Sequence, residues 1–115
     1  MLSIIEDSLD DDQAIDVLSI DLHGKTTIAD RMIIASGRSS RHVAAMADHL
    51  VDKLRAAGQK GVAVEGQKHG DWVLIDAGDF LIHLFRPEVR EFYKLEKLWG
   101  DAAAPRQDPM HHAAL

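Results

Sequence analysis

The sequence contains no cysteine, which excludes disulfide bonds and thiolate metal ligands and is compatible with a reducing compartment. It also lacks any apolar stretch close to the roughly 20 residues that a membrane-spanning helix requires. The opening MLSIIEDSLDDD carries acidic residues where a signal peptide requires basic residues followed by a long apolar run. We therefore expect a soluble, cytoplasmic protein that makes no contact with a membrane.

Basic residues are in the minority, with 13 Lys and Arg against 19 Asp and Glu and a formal net charge of −6. Because an acidic surface repels phosphate backbones, we expect no direct binding to DNA. The most closely spaced basic residues are interleaved with acids, in the order Arg86, Glu88, Arg90, Glu91, Lys94, Glu96, Lys97. The charge favours either a basic partner reached by electrostatic steering or simply a soluble surface.

A chain of 115 residues has the size of one domain, which at this length buries about two-thirds of its unfolded surface. We predict a folded domain at 1–100 and a flexible, alanine- and proline-containing tail at 101–115. Apolar periodicity and turn residues predict strands at 15–22, 31–36, 62–65, 72–76 and 80–85. Helices are predicted within 1–13, from a Ser39 or Ser40 cap to Gly58, and from Pro87 onward.

The alternation of strands and helices indicates an α/β (α+β) fold with a single mixed β-sheet of about five strands and helices packed on it. The strands at 31–36 and 62–65, joined by the long helix, are expected to form a parallel, right-handed β–α–β pair. In the first strand, alternation directs Leu18, Ile20 and Leu22 to one face of the sheet.

The segment from Asp71 to Trp99 holds both tryptophans and the single tyrosine but no recognisable catalytic set. A tight turn at Ala77-Gly78 predicts a hairpin. Its expected cross-strand pairs are Asp76 with Asp79, Leu74 with Leu81, and Trp72 with His83. His83 is then either a hydrogen-bonded core histidine or part of a partly exposed docking surface beside Trp72.

The helix that begins at Pro87 is amphipathic. Its pattern predicts that Phe92, Leu95 and Trp99 are buried and that Arg90, Lys94 and Lys97 are exposed. Tyr93 lies at the edge of the apolar stripe, where an aromatic ring with a polar tip suits an interface. A surface that carries aromatic side chains but no recognisable set of catalytic groups indicates binding rather than catalysis.

The residues give little support to two catalytic alternatives, a histidine metal site and a nucleotidyltransferase-like site. The seven histidines include His42 and His49, but no H-x-x-x-H or H-E-x-x-H spacing occurs, so we expect no metal. Gly37-Arg38-Ser39-Ser40 is similar to the Gly-Ser opening of nucleotidyltransferase sites, which need paired carboxylates on the next strand to hold magnesium. Glu65 stands alone on that strand. We therefore expect neither a cofactor nor enzymatic activity, and we keep a metal-dependent, nucleotidyltransferase-like enzyme as the less favoured hypothesis.

The order and spacing of several segments, from about Ile15 to Asp101, resemble the ribosomal silencing factor family, also called the Iojap family. These segments are ASGRSSRHVAAMADHL, VEG, DWVLIDAGD, the H-x-F of His83–Phe85 and the R-x-F-Y-x-L-E-K-L-W that ends at Trp99. The chain departs from the family pattern at its ends, with a short amino-terminal helix and an extra alanine- and proline-rich tail.

The resemblance implies a nucleotidyltransferase-like fold without a catalytic site. It implies a non-enzymatic factor that binds the large-subunit ribosomal protein numbered fourteen, at the face that meets the small subunit. Bound there, such a factor blocks subunit association and represses translation in starvation or stationary phase. Organellar relatives act in large-subunit assembly, which is the alternative function. The resemblance also implies a possible homodimer and, at most, peripheral contact with ribosomal RNA.

Carried over by matching position, the partner-binding residues fall into two groups. The first group comprises Trp72, His83, Tyr93, Lys94 and Lys97. The second, which rests mainly on charge complementarity with a basic protein, comprises Asp71, Asp76, Asp79 and Glu96.

Overall fold

The structure, a computed structural model, describes residues 1–93, with side chains through Glu91. Three helices and five strands follow one another along this part of the chain. In order they are α1 (Leu2–Asp11), β1 (Ile15–Asp21), β2 (Arg31–Ser36), α2 (Ser40–Ala56), β3 (Ala63–Glu65), β4 (Trp72–Asp76), β5 (Phe80–Phe85) and α3 (Pro87–Tyr93). Within residues 1–93, none of the helices combines the length and apolar character that crossing a membrane would require.

The five strands form one mixed sheet in the order β1-β2-β5-β4-β3, which confirms the predicted fold class. β2 and β5 are parallel, and the pairs β1–β2, β4–β5 and β3–β4 are antiparallel. β2 and β3 therefore run in the same direction, as predicted, but the expectation that they pair is wrong. The sequence-distant β5 and β4 lie between them, so α2 crosses over two strands.

Helix α2 begins and ends where the sequence predicts. The Ser39 side chain accepts a hydrogen bond from the His42 amide at 3.1 Å, which satisfies one of the unpaired donors of the first turn. Gly58, at φ +93°, follows the last turn in the left-handed conformation. The predicted stripe from Val43 to Leu54 is buried against one face of the sheet.

The two faces of the sheet carry separate clusters. α1 and α2 cover the first face, where Ile33, Ile75 and Ile82 are fully buried. The second face holds a smaller cluster, whose buried members are Ile20, Leu22, Ala29, Met32, Ile34 and Phe85, with Trp72, Leu81 and Val89 of α3 packed against it. Helices thus lie against both faces of the sheet, as is typical of strands that are apolar on both sides.

The β4–β5 hairpin is present, but its predicted register is wrong by two residues. Trp72 pairs with Phe85, Leu74 with His83 and Asp76 with Leu81. The Ala77 amide donates to the Phe80 carbonyl at 2.9 Å, so the two-residue loop is Gly78-Asp79 rather than Ala77-Gly78. Because side chains alternate with a period of two, a shift of this size leaves every side chain on its predicted face.

The predicted burial of α3 is only partly described. The prediction that Arg90 is exposed is wrong, since its relative exposure is 9%. Its guanidinium donates to the Asp16 carbonyl in β1 and to Ser36 Oγ at the end of β2. Phe92, Leu95 and Trp99 lie outside the described side chains, as does the whole of the predicted tail at 101–115.

Gly66, in the loop that leads into β4, lies against the backbone of Trp72, and substitution there tests this close approach. Its φ is +85°, and a Cβ atom there would overlap the Trp72 carbonyl oxygen. We expect Gly66→Ala to lower the free energy of unfolding by about 2 kcal/mol or more, since it adds a clash to the left-handed backbone strain. Urea denaturation monitored by circular dichroism measures the change.

Gly61→Ala is the matched control, because Gly61 has φ +71° but a Cβ atom added there would meet no other atom within 4 Å. This substitution introduces only the backbone strain, about 1 kcal/mol. Equal losses of stability in the two variants would contradict the close approach of Gly66 to Trp72.

Candidate functional site

Three rings from neighbouring strands form a cluster on the second face of the sheet. Trp72 stacks on Phe85 with ring centroids 4.9 Å apart, and His83 lies 5.8 Å from Trp72 and 6.0 Å from Phe85. Trp72 and Phe85 are direct cross-strand partners, whereas His83 is the diagonal neighbour of Trp72. The sequence prediction that Trp72 and His83 lie side by side is therefore confirmed, although not by direct pairing.

A hydrogen bond fixes the orientation of the indole. Trp72 Nε1 donates to His83 Nδ1 at 2.9 Å, so Nδ1 is unprotonated and the neutral ring carries its proton on Nε2. His83 is only 6% exposed, and desolvation by burial lowers its pKa to about 4. His83 is thus a hydrogen-bonded core histidine, which is the first of the two interpretations of the sequence. Its assignment to a docking surface stays a prediction.

Asp71, the residue before Trp72, is hydrogen-bonded to Arg86, which follows β5, and to Ser40 of α2. Its Oδ1 accepts hydrogen bonds from Arg86 Nε at 2.8 Å and from Ser40 Oγ at 3.3 Å, and its carbonyl accepts the Arg86 amide at 3.1 Å. The Arg86 guanidinium also contacts Glu88. Asp71 is therefore paired within the chain, with a guanidinium that it shares with Glu88, and its contacts favour positioning of β4 over attraction of a distant partner.

Asp76 and Asp79 occupy the hairpin turn. Asp76 Oδ1 accepts the Gly78 amide at 3.0 Å, a local bond that stabilises the turn. The Asp79 carbonyl accepts the amides of Asp30 and Arg31 at 2.8 and 3.2 Å, which joins the turn to the start of β2. Both side chains are exposed, so their carboxylates stay in contact with solvent.

Sequence reasoning did not single out three further residues on the face of the sheet that carries Trp72. Leu74 and Leu81 are half-buried on the same face, and the exposed Glu65 is the cross-strand partner of Leu74. We call Trp72, Leu74 and Leu81 the apolar strip. The alternation of β4 contained the signal for Leu74, but the placement of Glu65 depends on the pairing of β3 with β4.

Several predicted site residues fall at or beyond the end of the described chain. α3 is described as far as Tyr93, without that residue's side chain, and Lys94, Glu96 and Lys97 lie outside the described residues. Their assignment to the interface stays a prediction.

The two histidines of α2 have structural contacts with the residue that follows α1. His42 Nδ1 accepts the Arg38 amide at 2.8 Å and its Nε2 donates to the Asp12 carbonyl at 2.7 Å, while His49 Nδ1 lies 2.9 Å from Asp12 Oδ2. Among the described residues, no group of three or more His, Asp or Glu side chains is arranged to hold a metal ion.

Comparison with known proteins gives concordant results. The family model described as "Ribosomal silencing factor during starvation" matches residues 1–114. The chain is 58% identical over 100 residues to the ribosomal silencing factor RsfS of Zymomonas mobilis, which covers 87% of this chain and 75% of that protein. It is 38% identical over 91 residues to the mouse protein named "Mitochondrial assembly of ribosomal large subunit protein 1", covering 76% of this chain and 40% of the mouse protein. A crystal structure of a Chromobacterium violaceum protein is similar with a TM-score of 0.84 at 38% identity, covering 95% of this chain and 87% of that chain.

The buried His83 predicts a specific dependence of stability on pH. Its pKa is lowered from 6.5 to about 4 in the folded state, so between these values the unfolded chain binds more protons than the folded chain. The free energy of unfolding that depends on neutral His83 is fully present above pH 6.5 and is lost as the pH falls toward 4. The full loss is on the order of 3 kcal/mol. We expect His83→Phe to remove this part of the pH dependence, as measured by urea denaturation between pH 4 and 7.5.

His69→Gln is the control, since His69 is exposed in the loop before β4. Its pH profile should follow that of the unsubstituted protein. An unchanged profile for His83→Phe would show that His83 titrates freely in the folded state.

Proposed function

The chain belongs to the ribosomal silencing factor family, and on this premise we propose that it binds large-subunit ribosomal protein fourteen and sterically blocks association of the two ribosomal subunits. The protein would act without covalent chemistry and without a cofactor. Repression of translation in starvation or stationary phase follows from occupation of the face that meets the small subunit.

The observation that carries this proposal is the pre-oriented Trp72. Its indole is stacked on Phe85 and hydrogen-bonded to the buried His83. The preceding residue, Asp71, is held by its bond to Arg86. Aromatic side chains held in one orientation lose little conformational entropy on binding and commonly supply the largest share of interface energy. The half-buried apolar strip extends from this anchor, since Leu74 is the next residue on the same face of β4 and Leu81 is the diagonal neighbour of Leu74.

Acidic side chains lie along the β3 and turn side of the apolar strip. Glu65 and Asp76 project from the same face as Trp72, and Asp79 follows in the turn. An acidic border beside an apolar centre suits a basic ribosomal protein, because rim charges raise the association rate and disfavour acidic competitors. We assign this role to Asp76, Asp79 and Glu65 before Asp71, whose carboxylate is already paired with Arg86.

Large-subunit assembly is the second candidate function. It is favoured by the similarity to the mouse protein named for mitochondrial assembly of the ribosomal large subunit. The same surface would serve this role, since binding to a large-subunit protein precedes either outcome. Subunit-joining assays separate the two functions, because an assembly factor need not exclude the small subunit from a mature large subunit.

We expect Trp72→Ala to weaken binding to purified ribosomal protein fourteen by about 2 kcal/mol or more, roughly thirtyfold in Kd. Tyr93→Ala, at a position predicted from the sequence alone, should have a similar effect. Isothermal titration calorimetry gives the affinities, and co-sedimentation with purified large subunits on sucrose gradients tests the same variants in the assembled particle.

Ile28→Ala is the matched control, since Ile28 is an apolar side chain that is 66% exposed in the loop between β1 and β2. It should bind as the unsubstituted protein does. Undiminished capture by both aromatic variants, with their folding verified by thermal denaturation, would remove the assigned surface.

A further inference from the structure

Two adjacent apolar side chains are exposed at the edge of the sheet. Val17 is 41% exposed and Leu18 is 39% exposed, and only Met1 and Ile28 are comparable among the described large apolar residues. Regular alternation would turn one of two neighbours inward. Here the register between β1 and β2 shifts between Ile15 and Leu18, which forms a bulge on an edge strand.

A buried arginine holds this bulge in place. Asp16 has φ +52°, a left-handed conformation that a residue other than glycine seldom adopts. Arg90 Nη1 donates to the Asp16 carbonyl at 2.7 Å and to Ser36 Oγ at 3.0 Å, from a side chain with 9% exposure. Strained backbone that is over-determined by buried contacts is typical of binding surfaces.

The bulge and α3 enclose an open cleft of about 560 Å³. Asp16, Val17 and Leu18 form one wall, and Pro87 and Glu91 belong to the other. Ser36 and Arg90 lie at the base, where the buried Arg90 guanidinium is already bonded to the Asp16 carbonyl and Ser36 Oγ. Asp16 and Glu91 are exposed at the two sides, next to the apolar Val17 and Leu18. This chemistry suits a cationic segment that carries an apolar side chain, and it disfavours nucleic acid because the carboxylates repel phosphates.

The cleft lies near Trp72. Ile15, Ser36, Phe85 and Trp72 are successive partners across β1, β2, β5 and β4. Three strand spacings separate the first of these residues from the last, or roughly 14 Å. An interface of ordinary size covers about 800 Å² on each partner, which corresponds to a patch roughly 30 Å across. One partner can therefore reach both the apolar strip and the cleft, with α3 between them.

We propose that the cleft between the β1 bulge and α3 is a second docking surface, which receives a cationic, apolar-anchored segment of the same basic protein that Trp72 anchors. This inference rests on the proposed function. It extends the interface to the β1 edge of the sheet, where sequence reasoning placed no binding residue.

Leu18→Ser tests the apolar part of the β1 wall. We expect affinity for purified large subunits to fall about tenfold, as is usual for loss of an interface anchor. Ile28→Ser, which removes an exposed aliphatic side chain outside the cleft, should stay within about twofold of the unsubstituted protein.

Asp16→Asn tests the charge without altering the bulge, since asparagine also tolerates the left-handed conformation. Affinity should fall several-fold at low ionic strength, and the difference should shrink at high salt. Asp52→Asn is the matched control, because Asp52 is exposed on α2, which covers the other face of the sheet.

The outcomes separate the two proposals. If Trp72→Ala loses binding while Leu18→Ser and Asp16→Asn bind normally, the cleft is not a docking surface but the proposed function stands. If all three bind normally, both proposals fail. A loss of self-association in Leu18→Ser by analytical ultracentrifugation, with unchanged binding to large subunits, would assign the cleft to a second copy of the chain and overturn the inference.

Discussion

β5 lies at the centre of the sheet, parallel to β2 on one side and antiparallel to β4 on the other. Its alternation sends Ile82 and Leu84 toward α1 and α2, and Leu81, His83 and Phe85 toward the second face. The pairing with β4 brings Trp72 onto Phe85, and the pairing with β2 brings Ser36 to the base of the cleft. Both proposed surfaces therefore depend on the hydrogen bonds of this one strand.

Local sequence signals were sufficient for the elements but not for their pairing. The bounds of β2, β4 and β5 and the Ser39 cap agree with prediction because each rests on neighbouring residues. The partner of β2 was missed, since β5 is distant in sequence and nothing local distinguishes it from β3. The hairpin register was also missed, because Ala77-Gly78 and Gly78-Asp79 both offer a glycine for a tight turn.

The candidate site shows the same difference between what local sequence predicts and what depends on contacts between distant residues. Trp72 and His83 were correctly predicted to be neighbours because a shift of two residues preserves the face of a strand. The functions of charged residues could not be inferred in this way. Asp71 and Asp76 look alike in the sequence, yet Asp71 is paired with Arg86 while Asp76 supports a turn from an exposed position. Arg90 was wrongly predicted to be a surface cation because its acceptors, Asp16 and Ser36, lie on other elements.

Histidine is well suited to the position beside Trp72. Phenylalanine would fill the space but would offer no acceptor to the indole N–H, and an unpaired polar group in a partly buried site destabilises the fold. A carboxylate would accept the bond but would bring a charge into an apolar cluster. A neutral imidazole meets both requirements, and the burial that lowers the pKa of His83 keeps Nδ1 available as an acceptor at neutral pH. The apolar surroundings of the proposed binding strip thus also maintain the hydrogen bond that orients its tryptophan.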